Sequence, residues 1–116
     1  MSDALANLVC SRLPLSGVVA YCIDLPDRVL CTECFSKSLY PSSTEQMLAG
    51  LVRSGRALMP SEQAAARYCW VFECLRVYVA ARADGISLAL MVENIPNVQT
   101  GRIQEMLQDF CDLTEV

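Results

Sequence analysis

The residues whose type and spacing come nearest to a reactive pair are Cys31 and Cys34, in the motif Cys31-Thr32-Glu33-Cys34. Two thiols so spaced serve as half of a zinc site or as a redox pair. A structural zinc takes four ligands, and the chain holds neither a second such motif nor any histidine. A redox pair needs its first thiol where a helix N-terminus or a cation stabilises the thiolate. Cys31 falls instead in a run that reads as a strand, where residues three apart point to opposite faces. No metal or cofactor is expected here, and a thiol redox protein working through Cys31 and Cys34 stands as an alternative of lower rank.

The lack of histidine also removes the commonest general base and the Ser-His and Cys-His nucleophile pairs. Gly50, Gly55, Gly85 and Gly101 are scattered, so no glycine-rich loop is available to cradle a phosphate. With no reactive constellation, the sequence predicts a protein that is not an enzyme and whose function lies in its surface.

A length of 116 residues fits one domain, residues 1–116. Apolar residues make up 53% of the chain against 19% charged, which excludes a disordered polymer and favours a core that continues into an oligomer interface. The net charge of −4 comes without any cluster of Lys or Arg, which argues against nucleic acid as a partner. No apolar run approaches the ~20 residues that cross a bilayer, so no membrane span is expected. The first ten residues carry Asp3 and no basic group, unlike a secretory or transit peptide. The expectation is a soluble cytoplasmic protein whose seven cysteines stay reduced and act mostly as small hydrophobes.

The elements that must position any functional surface follow from periodicity. Leu5, Leu8, Val9 and Leu13 share a helical face that Pro14 ends. The runs from Gly17 to Ile23 and from Arg28 to Phe35 read as two strands of a hairpin. Ser36 to Ser43 is polar and reads as a loop. Ser43, three residues before Gln46, suits a capping box, so a helix is expected from Thr44 to Met59, stopped by Pro60. Its apolar residues Met47, Leu48, Leu51, Val52, Leu58 and Met59 form one stripe. Ser61 to Arg67 reads equally as helix or linker. Tyr68 to Glu93 supplies three strands, the last two joined at Asp84-Gly85, a strong hairpin signal. Ile103, Met106, Leu107, Phe110 and Cys111 mark a final amphipathic helix, with Asn97 or Thr100 as its cap.

The order αββαβββα, an α+β chain with a five-stranded antiparallel sheet, resembles the Roadblock/dynein light chain family. The resemblance spans Leu5 to Leu113 and is most specific in LRVYVAARADGISLALMVEN, Leu75 to Asn94, followed by NVQTGRIQEML, Asn97 to Leu107. It implies a homodimer whose sheets join through the third strand with central helices side by side. It further implies a non-enzymatic module that binds or regulates a Ras-like small GTPase, or acts as a scaffold subunit. An acidic secretion-system chaperone is the alternative of another class, though such proteins place three strands before the middle helix and two after.

Candidate contact residues follow. The stripe with Met47 and Leu51 serves either the chain's own core or a core shared with a second helix, which Gly50, Gly55 and Ala57 would let approach closely. Spacing leaves both open. The strand from Tyr68 to Glu73 would be an exposed apolar edge without a partner, which places Tyr68, Trp70 and Phe72 at a dimer interface. Arg53 and Arg56 read first as solvated charges and, in a complex, as rim contacts with the partner.

Overall fold

The computed structural model describes residues 3–58 and 66–113. The elements are α1 (Asp3–Arg12), β1 (Val18–Asp24), β2 (Val29–Cys34), α2 (Pro41–Leu58), β3 (Ala66–Val71), β4 (Leu75–Ala81), β5 (Ser87–Glu93) and α3 (Thr100–Asp112). The expected order of elements is present in full. Two strands precede the middle helix and three follow it, the reverse of the chaperone arrangement. Ala66 and Arg67, left open between helix and linker, belong to β3; Met59, Pro60 and the stretch Ser61 to Ala65 lie outside the described residues.

The strands pair antiparallel in the order β2-β1-β5-β4-β3, which leaves β2 and β3 as the edges. The central strand β5 is buried along its length except for Glu93, because helices cover both faces of the sheet. On one face, Leu5 and Val9 of α1 and Ile103, Met106, Leu107 and Phe110 of α3 pack on Tyr21, Ile23, Leu88 and Leu90. On the other, Leu48 and Val52 of α2 pack on Ala20, Cys22, Val77, Val79 and Ala89. In β1 and β5 the period-2 alternation thus sends Tyr21, Ile23, Leu88 and Leu90 to the two-helix face and the small Ala20, Cys22 and Ala89 to the α2 face. Small residues there let the single helix sit close to the sheet.

Helix starts differ from expectation. The backbone N–H of Thr44 donates to the Tyr40 carbonyl, so α2 begins at Pro41 and Ser43 already lies within its first turn. Proline at the first helical position lacks only an N–H that would go unpaired there, and its fixed φ suits the helix. That outweighs the capping box. Gln99, and neither Asn97 nor Thr100, precedes α3, and it makes no side-chain cap.

The two hairpins that depend on turn chemistry form. Between β4 and β5 the Arg82 N–H donates to the Ile86 carbonyl and the Gly85 N–H to the Arg82 carbonyl. The loop therefore holds Ala83, Asp84 and Gly85, one residue longer than the tightest turn, with Gly85 at φ +91° closing it. The β1–β2 loop, which has no glycine, closes through the Leu25 N–H on the Arg28 carbonyl at 2.7 Å.

Candidate functional site

The helix α2 and the edge strand β3 together form the surface on which the sequence placed its contacts. The inward stripe of α2 is Thr44, Leu48, Ala49, Val52 and Gly55. This divides the apolar stripe expected from the sequence. Leu48 and Val52 are core, Leu51 is half-buried, while Met47 at 38% and Leu58 at 79% exposure face outward. Adjacent apolar pairs such as Met47-Leu48 must split in this way, since neighbours on a helix lie about 100° apart.

β3 is held against α2 by two aromatic side chains. The Tyr68 hydroxyl donates to the Val52 carbonyl at 2.8 Å, and Trp70 Nε1 donates to the Leu51 carbonyl at 3.2 Å. Burial pushes the Tyr68 phenol up, partly opposed by the Arg56 guanidinium. Gly55 makes room for this clamp: a Cβ there would lie 2.2 Å from Tyr68 Cε2. Its small size therefore admits a ring of the same chain, whereas Gly50 faces outward with nothing within 4 Å. Tyr68 and Trp70 thus contribute one side to the chain's own core. Phe72, just past the strand end, is 42% exposed, and Val71, the last residue of β3, is 66% exposed on the face away from α2.

The outer edge of β3 is open among the described residues. The Phe72 N–H donates to the Leu75 carbonyl, and Trp70 and Tyr68 stand opposite Val77 and Val79. By the alternation of an antiparallel ladder, the backbone groups of Arg67, Cys69 and Val71 then point away from β4. Three N–H and three C=O groups form a template for another strand.

Arg53 and Arg56 lash α2 to the far end of the sheet. Arg53 holds Asp24 through Nη2 to Oδ1 at 2.9 Å and Nε to Oδ2 at 3.3 Å. The carboxylate is 4% exposed, and its hydrogen bond and charge hold the guanidinium pKa above its ordinary value. Arg56 donates twice to Ser87 Oγ, at 2.6 and 3.0 Å, and more weakly to the Arg82 and Ile86 carbonyls. More than half of the Arg53 side chain remains exposed beside its ion pair. The buried polar residues that receive these arginines, Asp24 and Ser87, went unnoticed in the sequence, as did Arg82. Arg82 is buried, pairs with Asp84 at 3.1 Å, stacks over Phe110 and donates to the Phe110 carbonyl in the last turn of α3 and to the Leu113 carbonyl just past it. A cation suits that helix end.

The Cys31-Cys34 motif is split by the strand as its spacing implies. Cys31 packs on the α1/α3 face and Cys34 on the α2 face. Burial pushes the Cys31 thiol up, with the Tyr21 hydroxyl partly opposing it, and a protonated thiol is a poor nucleophile. The Tyr21 hydroxyl in turn donates to Glu33 at 3.0 Å and meets Cys10 Sγ at 3.4 Å. Among the described residues no three or more Cys, Asp or Glu side chains gather as metal ligands would. No described helix is long and apolar enough to cross a membrane.

Five antiparallel strands in the order β2-β1-β5-β4-β3, with α2 alone on one face and α1 and α3 on the other, define a Roadblock-like α+β module. The solved structure of MglB with tetrameric arrangement is similar over 95% of this chain and 84% of that one, with TM-score 0.56 and 10% identity. Myxococcus xanthus MglB aligns over 97% of this chain and 92% of that one, with TM-score 0.49 and 9% identity. No protein-family model and no curated protein sequence matches the chain. The likeness is one of fold.

Proposed function

We propose that this chain is a dimeric, non-enzymatic cytoplasmic module of the Roadblock kind that binds or regulates a Ras-like small GTPase, or serves as a scaffold subunit. The observation that carries the reading is the edge of β3, open among the described residues, with the outward backbone groups of Arg67, Cys69 and Val71, beside the exposed apolar residues Met47 and Leu58 of α2. Two copies meeting at β3 continue the ladder and bring two α2 helices together, with nothing among the described residues within 4 Å of a Cβ at Gly50 where they approach. Met47, Leu51, Tyr68, Trp70 and Phe72 form the dimer seam in this reading. The Roadblock-like fold supports the GTPase as the class of partner, contacted by the outer surface of the paired helices. The exposed part of Arg53 is available there, and Arg56 contributes by holding the helix in place.

Sedimentation of the native chain, of Met47→Asp and of Cys69→Pro tests the dimer. The Cys69 N–H points away from β4, so proline there removes a donor from the dimer ladder and none from the chain's own sheet. The native chain is expected at twice its monomer mass and both variants as folded monomers. Binding of native dimer to purified Ras-like GTPases, loaded with GDP or with a GTP analogue, tests the partner. A native monomer that binds neither nucleotide form overturns the proposal.

A further inference from the structure

The outer edge of β3 carries a knob and a hole on its α2 side. The knob is Phe72, 42% exposed. Its N–H donates to the Leu75 carbonyl, so it continues the β3–β4 ladder and shares the face of Tyr68 and Trp70. The hole is a hollow of about 340 Å³ lined by Gly55 and Leu58 of α2 and by Ala66, Tyr68 and Trp70 of β3. Arg67 and Cys69, whose backbone groups point outward, also border it, so it opens on the edge.

Knob and hole are symmetric about Cys69, with Ala66 as far before it as Phe72 is after. The outward backbone groups of Arg67, Cys69 and Val71 centre on the same residue. In an isologous pair, where residue i meets j and j meets i, a two-fold axis at Cys69 sets each Phe72 opposite the partner's Ala66. Such a pair belongs to the closer class of an antiparallel ladder, with Cα atoms about 4.5 Å apart. The same register sets Arg67 opposite the partner's Val71 and Cys69 opposite the partner's Cys69, which uses every outward N–H and C=O group of both edges.

Charge agrees with this axis. Arg67 spends one bond on the Gln104 carbonyl at 3.3 Å, and neither it nor Glu73 takes part in an ion pair among the described residues. With the axis at Cys69, Arg67 and the partner's Glu73 stand at diagonal positions, within reach of long side chains. An axis at Tyr68 would make the two Arg67 residues diagonal neighbours, like charge beside like. An axis at Trp70 would set Phe72 opposite the partner's Tyr68 and leave Arg67 facing Glu73, which lies beyond the strand.

We propose that two copies of this chain pair with Cys69 on the two-fold axis, each Phe72 seated in the other's hollow beside Ala66. The inference rests on the pairing at β3 and adds its register and its anchor.

Sedimentation of Phe72→Ala, of Ala66→Phe and of the double variant, with circular dichroism to report folding, tests the anchor. Each single variant is expected to weaken the dimer roughly a hundredfold, about tenfold for each of the two anchors lost. The double variant exchanges knob and hole and should regain about tenfold or more of that loss. The thiol cross-linker dibromobimane tests the axis in a chain carrying Cys10→Ser and Cys74→Ser, which leaves Cys69 as its exposed thiol. Cys69 is expected to join the partner's Cys69 in a fluorescent covalent dimer. Adding Cys69→Ser with Val71→Cys should abolish it, because those positions stand four residues apart along the ladder. Single variants as tight as the native dimer, a double variant no tighter than the singles, no cross-link at Cys69, or one with Val71→Cys overturns this register. The pairing at β3 still stands in each case if Cys69→Pro gives a monomer. A native monomer, or a dimer that Cys69→Pro leaves intact, overturns both.

Discussion

The Tyr68 ring fills the space that a side chain at Gly55 would need: a Cβ there would lie 2.2 Å from Cε2 and 2.6 Å from the hydroxyl oxygen. The same hydroxyl is anchored to the Val52 carbonyl, so the ring cannot swing away without losing a hydrogen bond. Gly55→Ala should therefore destabilise the fold by roughly 1–3 kcal/mol through overpacking, even though alanine is the better helix former. Gly50→Ala on the open side of the same helix should instead add about 0.4–1 kcal/mol. Urea unfolding of both variants checks the contrast; two midpoints moving the same way would show that helix propensity, rather than the ring, governs this helix.

Removal of Arg53 is a stability experiment before it is a binding experiment. Arg53→Ala leaves the Asp24 carboxylate almost wholly buried without its bidentate partner. The expected loss is about 1–3 kcal/mol, the cost of an unsatisfied buried group. Asp24→Asn combined with Arg53→Ala should recover part of it, because no buried charge then remains. Denaturant midpoints of the two single variants and the double give the coupling directly.

The order of elements was legible because each reports on itself: apolar runs rich in β-branched and aromatic residues for β1 and β2, the Asp84-Gly85 turn between β4 and β5, and the four-residue spacing from Ile103 to Leu107. The inward side of α2 was not. Met47 and Leu48 are equally apolar, and hydrophobicity does not say which meets the sheet of its own chain. The polar ties were hidden for another reason: Arg53 and Asp24 stand 29 positions apart, Arg56 and Ser87 stand 31 apart, and Arg82 reaches Phe110 across 28. No local spacing rule joins residues so distant. The start of α2 was misplaced because two local rules competed, and Pro41 at the first position prevailed over Ser43 as a cap.

Acid should loosen the β4–β5 hairpin and the end of α3 through Asp84. Burial raises the Asp84 pKa, but the Arg82 guanidinium and the Ile86 N–H hydrogen-bond its carboxylate and together hold it below its ordinary value. A depressed folded-state pKa contributes stability that is present above the unfolded value, about 4, and is lost as pH falls through the folded one. Asp84→Asn should be less stable than the native chain at pH 6 and lose less between pH 6 and pH 3. Arg82→Met, which also strips the last turn of α3 of its donors, should cost roughly 2–4 kcal/mol.

Alkali should act through the opposite sign at Cys22. Its thiol lies wholly buried between the sheet and α2. Burial, aided by the charges of Asp24 and Glu45 and partly opposed by a hydrogen bond from Thr32, pushes it from 9.0 up to about 11. A raised folded-state pKa contributes stability fully present below the unfolded value and lost as pH rises toward the folded one. Between pH 9 and pH 11 the unfolded chain sheds this proton while the folded chain keeps it. The denaturant midpoint should therefore fall across that window, and Cys22→Ala should flatten the Cys22 part of the fall at the expense of a small cavity and a lower midpoint at pH 7. Cys10 and Cys74, both exposed, should label with maleimide at pH 8 well before Cys22. A slope unchanged by Cys22→Ala would assign the alkaline loss to another group, such as the buried phenol of Tyr21, whose pKa is raised by burial and by its bonds to Cys10 and Glu33.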